Sequence, residues 1–274
     1  MPLCGGPPVA ELGVLDKIAA STLERVKRWK HERPIEALKD QRLYGRLPRS
    51  LSRALLGPGP RVIAEVKFAS PSEGFLRESV SASPREAARI AGSYLDAGAA
   101  VISVLTEENY FSGDPSYLAA VRHDRQDACL LMKDFFIDPY QFHLARSCGA
   151  DAVLLIAALL GPRLPEMAAS ANALGLSALV EVHNEAEAEA ALAFGADVVG
   201  VNNRDLRTLR TDLDIARRLA PLARRAGVAV AESGLRSRYQ IEELGILGYK
   251  GFLIGTSLMK APDPGAALAE FLKA

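Results

Sequence analysis

Net charge is the first thing missing: 33 Lys and Arg balance 33 Asp and Glu, so no overall field draws the chain toward nucleic acid, and no basic patch interleaved with aromatics appears. Any phosphate must be bound locally. Cysteine is scarce, and Cys4, Cys129 and Cys148 lack metal-ligand or CxxC spacing; this argues against a disulfide frame and for reduced thiols in a cytosolic protein. The four histidines, His31, His123, His143 and His183, are scattered, so no metal site is expected. No stretch reaches the ~18 consecutive apolar residues of a membrane span. The start, Met1-Pro-Leu-Cys-Gly-Gly6, lacks the basic and apolar segments of a secretory signal. The expected location is therefore the cytoplasm, with neither membrane nor nucleic acid as a partner.

What is present is a repeated unit. With 49% hydrophobic and 24% charged residues in 274, the chain can build one large soluble domain or two small ones. Eight short aliphatic runs recur with helical patterns between them: Val62 to Val66, Ala100 to Leu105, Cys129 to Met132, Ala152 to Ile156, Ala178 to Val182, Val198 to Val201, Val228 to Ala231 and Gly251 to Ile254. Parallel strands joined by crossover helices read this way. Ser83-Pro84-Arg-Glu86 and Asp138-Pro139-Tyr-Gln141 each offer a cap oxygen, a first-turn proline and a returning Glu or Gln. Asp114-Pro115, Asn184 to Glu187, Ser237 to Gln240 and Asp263-Pro264 repeat the device, and Gly98, Gly149 and Gly195, each followed by Ala, close helices before the next strand.

Eight such units fit an α/β fold of the (β/α)8 barrel type, whose typical size is about 250 residues. The rival is an open doubly wound sheet. It would ordinarily place a glycine-rich dinucleotide turn after an early strand, where this chain has Phe68-Ala-Ser-Pro-Ser-Glu-Gly74. Residues 1–60 are expected to form a helical extension packed on a barrel of residues 61–274. In that prefix, Leu15 to Lys30 carries Ile18, Leu23, Val26 and Trp29 at helical spacing, with shorter apolar stretches at Pro34 to Leu38 and Leu51 to Leu56. Trp29, the only tryptophan, is expected in the core.

In such a barrel the carboxyl ends of the strands make the site, and here they are conspicuously polar. Glu65 and Lys67 end an apolar strand two residues apart, hence on one face, where unpaired charge is costly. A structural ion pair is the bland reading; a working site is favoured because perturbed charges concentrate there. The other strands deliver Ser103, Thr106 and Glu107; Lys133, Asp134 and Phe135; Glu181 and His183; Asn202, Asn203 and Arg204; Glu232, Ser233 and Gly234; and Gly255, Thr256 and Ser257. Only the fourth strand stays apolar, with Leu154, Leu155 and Ile156. Two lysines and three carboxylates around one apolar wall suit acid-base chemistry on an anionic aromatic substrate. Ala231-Glu-Ser-Gly234 and Ile254-Gly-Thr-Ser257 offer small residues and free backbone N–H groups where barrels commonly hold phosphate, the second before a short helical run. Either glycine alone reads equally well as a simple turn.

These residues resemble a known family. Glu65-Val-Lys67-Phe-Ala-Ser-Pro-Ser72, Leu105-Thr-Glu-Glu-Asn-Tyr-Phe111, Met132-Lys-Asp-Phe135, Leu154-Leu-Ile156, Leu179-Val-Glu-Val-His183, Gly200-Val-Asn-Asn-Arg-Asp-Leu206, Ala231-Glu-Ser-Gly234 and Phe252-Leu-Ile-Gly255 look like the successive motifs of the indole-3-glycerol phosphate synthases, in order and one per strand, from about Leu15 to the end. The resemblance implies ring closure of 1-(2-carboxyphenylamino)-1-deoxyribulose 5-phosphate with loss of carbon dioxide and water, in tryptophan biosynthesis, by a carboxy-lyase without cofactor or metal. It implies Lys133 as the proton donor to the ketone oxygen, Glu181 as general base, and Lys67 as carboxylate anchor or second acid. Glu65 would orient Lys67, with Asn202 on the ribulose hydroxyls and Ser233 nearby. Phe111, Phe135, Leu154 and Leu206 match the pocket for the anthranilate ring. Phosphate would fall to Ser70, Gly234, Gly255 and Thr256, while Arg204 lies in the carboxylate-binding or support shell and Glu232 joins the substrate-binding set. Desolvation at the strand end is expected to ease proton release from Lys133. The partner is a phosphorylated small molecule, and a monomer or weak homo-oligomer is expected.

Phe68 and Glu73 depart from the family's commoner pattern, since a basic residue is frequent at both positions; their presence removes positive charge from the loop after the first strand. Asn184 replaces a common acid but serves equally as a cap. Two alternatives stay open. A phosphoribosylanthranilate isomerase-like barrel would share the phosphate loops but want a cysteine and an aspartate at the mouth, and a noncatalytic phosphate-ligand-binding barrel would be expected to lack one of Lys67, Lys133 and Glu181.

Overall fold

Alternate residues of a strand face opposite ways, so a strand apolar on both faces must be covered on both. The computed structural model describes residues 13–77, 80–205 and 208–273, and everything below refers to these. The strands are β1 (Arg61–Val66), β2 (Val101–Leu105), β3 (Leu130–Lys133), β4 (Ala152–Ile156), β5 (Ser177–Val182), β6 (Val198–Asn202), β7 (Val228–Glu232) and β8 (Gly251–Ile254). All neighbours pair in parallel, and β8 returns to pair with β1, closing the barrel. One set of side chains, including Val62, Ala64, Ile102, Val104, Val153, Leu155, Val199 and Val201, packs outward under the helices. The other set fills the interior: Ile63, Val101, Leu131, Leu154, Leu179, Val198, Val230 and Leu253 belong to a separate cluster.

Most of the caps and stops read from the sequence are in place; at Asp138-Pro139 the helix begins one residue later, at Tyr140, whose amide donates to Asp138 at 2.9 Å. Ser83 Oγ accepts from the Glu86 amide at 3.3 Å, Asn184 Oδ1 from Glu187 at 2.9 Å and Asp263 Oδ1 from Ala266 at 3.0 Å. Gly98, Gly149 and Gly195 take φ of +100°, +84° and +79°, the left-handed conformation that ends a helix cheaply only in glycine.

The N-terminal prefix touches both ends of the barrel. Its first helix, Val14–Glu32, lies along the loops that follow β2 and β3: Asn109 donates to Ser21 at 2.7 Å, Arg28 pairs with Glu108 at 3.0 Å and Lys30 with Asp138 at 2.7 Å. Trp29 is buried there. The prefix then runs to the opposite end, where Leu51 and Leu55 join the interior cluster and close the floor. Asp151, at the entry to β4, accepts from the Arg49 amide at 2.7 Å, the Leu130 amide at 2.8 Å and Arg122 at 2.5 Å, and also pairs with Arg46. This buried carboxylate is fully satisfied, as a buried charge must be.

Candidate active site

The period of two that puts Ile63 and Leu131 inside the barrel also carries Glu65 and Lys133 inward, one layer nearer the carboxyl end. They meet there a cavity of about 480 Å3, lined also by Lys67, Glu181, Asn202, Glu232 and Ser233. Lys133 Nζ lies 3.4 Å from Glu181 Oε2 and 3.3 Å from Glu232 Oε2, and Lys67 Nζ lies 2.7 Å from Glu65 Oε1. Two ammonium–carboxylate groups therefore share one chamber. Leu105, Phe111, Phe135, Leu154 and Ile156 make its apolar wall, with the Phe111 and Phe135 rings 6.1 Å apart and tilted by 36°.

Electrostatics separates the carboxylates. Burial alone would raise Glu181, but Lys133, His183 and a hydrogen bond from Asn202 outweigh it and leave Glu181 below the ordinary glutamate range. Glu232 goes the other way: burial, helped by the charges of Glu181 and Glu65 and opposed by Lys133, pushes it up to about 7. Neighbouring acids whose pKa values are driven apart take different roles. For Lys133 the expected effect of desolvation is reversed. Burial does pull it down, yet Glu232, Glu181 and Glu65 together hold its ammonium protonated above the ordinary lysine range. His183 sits behind Glu181, its Nε2 3.4 Å from Glu181 Oε1 and its Nδ1 3.4 Å from Glu187 Oε2; burial lowers its pKa, but the Glu187 bond and the Glu181, Glu187 and Glu232 charges raise it overall.

The other end of the cavity is formed after β6, β7 and β8. Ser233 and Gly234 are consecutive left-handed residues, φ +65° and +80°. A side chain on Gly234 would collide with Thr211. Asn203 fixes this turn, its Nδ2 donating to the carbonyls of Glu232 at 2.9 Å and Ser233 at 3.1 Å. Arg204 donates its amide to Asn202 at 3.0 Å and its guanidinium to Leu209 O at 2.8 Å and Ser72 Oγ at 3.3 Å. Gly255 and Thr256 line the same end, together with Ser257, Arg236 and Lys260. Gly255 has a second reason to be glycine, because a Cβ there would strike the Glu65 carboxylate.

Ser70 is the predicted residue that stands apart. It pairs with Gly74 in a two-stranded ribbon, Ala69–Ser70 against Gly74–Phe75, its Oγ is 3.5 Å from Ser72, and it is not among the residues lining the cavity. Leu206 lies outside the described residues. Arg236, Lys260 and Arg25 were not singled out from the sequence, while Asn203, Glu107 and Asp134 were read as polar strand-end residues without a role; Arg25, Glu107 and Asp134 form a buried group. Glu107 accepts from the amides of Asn109, Tyr110 and Phe111 at 3.1, 2.7 and 3.2 Å, capping the short helix Glu108–Phe111. Glutamate is not among the usual helix caps, so nothing local marked this role. Cys129 and Cys148 are both buried, at the entry to β3 and in the helix Tyr140–Cys148, so neither offers a thiol at the mouth.

A closed (β/α)8 barrel with two lysines and three buried carboxylates at the carboxyl ends of its strands defines an enzyme of the acid-base barrel class. A model of the indole-3-glycerol phosphate synthase family matches residues 15–271. The chain belongs to that family. It is 47% identical to the indole-3-glycerol phosphate synthase of Carboxydothermus hydrogenoformans over 94% of this chain and 99% of the relative, and 44% identical to that of Salinibacter ruber over 94% of each. Among solved structures, the 3-hexulose-6-phosphate synthase of Salmonella typhimurium superposes with a TM-score of 0.59 at 15% identity, over 77% of this chain and 96% of the other. The thiamine phosphate pyrophosphorylase of Pyrococcus furiosus does so with a TM-score of 0.57 at 18% identity, over 81% and 96%. These two likenesses concern the barrel alone.

Proposed function

We propose that this chain is a carboxy-lyase of tryptophan biosynthesis, closing the indole ring of 1-(2-carboxyphenylamino)-1-deoxyribulose 5-phosphate to give indole-3-glycerol phosphate, carbon dioxide and water. The observation that carries the reading is the position of Lys133 between Glu181 and Glu232 on the floor of a cavity with an aromatic wall. In ring closure the aryl carbon bearing the carboxylate attacks the ketone carbon, and the carbonyl electrons pass to oxygen. That oxygen becomes an alkoxide in the transition state, basic enough to take a proton even from an ammonium strengthened by three carboxylates. Lys133 is the donor. Departure of carbon dioxide returns its bonding electrons to the ring.

Dehydration then removes a ring hydroxyl as water and a proton from the adjacent ring position. Glu181, kept ionised, is the base that takes this proton, and its contact with Lys133 gives a short route for returning it to the amine. Lys67, held by Glu65, serves as carboxylate anchor or as the acid that accompanies the hydroxyl. Asn202 meets the ribulose hydroxyls, Phe111, Phe135 and Leu154 face the anthranilate ring, and Ser233, Gly234, Gly255 and Thr256 bound the phosphate end, with Arg204 in support. None of these steps calls for a metal or an organic cofactor. A cytoplasmic setting belongs to the same proposal; among the described residues no helix is long and apolar enough to cross a membrane. The test is direct. Purified protein incubated with the carboxyphenylamino-deoxyribulose phosphate should develop indole fluorescence, and its absence under conditions where the protein is folded would reject the reading.

A further inference from the structure

One carboxylate in the cavity is out of keeping with a ligand that is itself an anion. Glu73 lies in the turn of the ribbon after β1 and lines the cavity together with Lys260, Arg236 and Arg204. Lys260 Nζ donates to its Oε2. The Lys260 bond lowers the Glu73 pKa most, burial opposes it, and the charges of Lys260, Arg204 and Arg236 lower it further. Three cations thus surround one acid at the end of the cavity where Gly234, Gly255 and Thr256 also lie. The ribbon is tied to this cluster a second time, through Arg204 and Ser72 at 3.3 Å. With Glu73 36% and Lys260 49% exposed, their ion pair is of the weak, exchangeable kind. A phosphate monoester brings nearly two charges and three acceptor oxygens, and charge-assisted bonds to it are stronger than one solvated carboxylate can offer.

We propose that Lys260 and Arg236 are phosphate-binding residues of the substrate site, and that Glu73 is a resident counter-anion that holds them, with the loop after β1, until the substrate's phosphate displaces it. The inference rests on the phosphate end of the function proposed above. Lys260 then changes partner on binding, and the loop that carried Glu73 loses this tie as the phosphate enters. An acid at position 73 costs affinity, because every binding event must first break its contact. A merely structural surface pair would leave anion affinity untouched when its acid is removed.

The experiment measures inorganic phosphate as a competitive inhibitor of turnover in the full-length enzyme, for the native chain, Glu73→Gln, Lys260→Met, Arg236→Met and Glu73→Gln combined with Lys260→Met. Thermal midpoints recorded alongside report on folding. The inhibition constant should fall about 3- to 10-fold in Glu73→Gln and rise by a similar factor in Lys260→Met and in Arg236→Met, as expected for one partly solvated charge contact. The double variant should resemble Lys260→Met, because Glu73 acts mainly through that lysine. An unchanged or higher constant in Glu73→Gln would overturn the counter-anion role, and unchanged constants in both cation variants would overturn the phosphate contacts. If the native enzyme turns over but is indifferent to phosphate, this inference falls together with the phosphate end of the site, while the ring-closing chemistry stands.

Discussion

Arg25, on the helix that precedes the barrel, donates to Asp134, the residue between Lys133 and Phe135. Its other nitrogen lies 3.7 Å from Glu107, and both side chains of that pair are buried. Asp134 in turn accepts from Thr106 at 2.7 Å and from the Phe135 amide at 2.8 Å. One guanidinium thereby joins the prefix to the ends of β2 and β3, where the short helix bearing Phe111 and the strand bearing Lys133 emerge.

Arg25→Met should leave two carboxylates buried without their cation, at a cost of about 3–5 kcal/mol. Chemical denaturation measures this. Turnover should fall in the folded variant as well, since Asp134 no longer fixes the backbone between Lys133 and Phe135; a stable variant with native turnover would remove Arg25 from both roles.

Gly200 faces Glu232 across the β6–β7 pair, and a Cβ at Gly200 would overlap Glu232 Oε1 and come within 3.1 Å of Leu179 Cδ1. Gly200→Ala should cost about 1–3 kcal/mol by overpacking and displace Glu232 from Lys133. The expected kinetic signature is a lower kcat with KM little changed, read from steady-state rates.

Gly255→Val probes a different contact from the one its phosphate-side position implies. Because the added side chain meets Glu65, the variant should disturb the Glu65–Lys67 pair as well as the phosphate end. Both kcat and KM should therefore worsen, in contrast to a pure binding defect, which would raise KM alone.

Glu232→Gln should change how stability depends on pH. With its folded pKa raised to about 7, Glu232 holds a proton in the folded state at pH values where the unfolded chain has lost it. Its stabilising contribution is full below the ordinary glutamate range and is lost as pH rises toward about 7. The glutamine variant lacks that loss. Relative to the native protein it should gain on the order of 1–3 kcal/mol between pH 5 and pH 8, measured by denaturation at the two values, even as activity drops.

The strands were legible because β-branched and aliphatic runs carried charge only at their ends, and several helices advertised their stops with a glycine. Glu65, Lys133, Glu181 and Glu232 were legible for the same reason: a charge at the end of an apolar strand is costly to bury and therefore marks an ion pair or a working site. Arg25 was not. It sits 109 residues from Asp134, on a helix rich in charge, where an arginine reads as solvated until the barrel brings β3 beside it. Lys260 and Arg236 were hidden likewise, since surface cations gain meaning only when loops from opposite ends of the sequence converge. Ser70 pairs in the ribbon after β1 and is not among the residues lining the cavity, a placement that its motif did not show.

The most direct measurement follows a single turnover of the carboxyphenylamino-deoxyribulose phosphate with its carboxyl carbon isotopically labelled, in the native protein and in Lys133→Ala, recording carbon dioxide and indole together. The native protein should release one carbon dioxide per indole formed. Lys133→Ala should bind the substrate yet lose roughly 10²–10⁴ in rate, the usual worth of a positioned acid. Native-like turnover in that variant, or carbon dioxide release without indole in the native protein, would contradict the account.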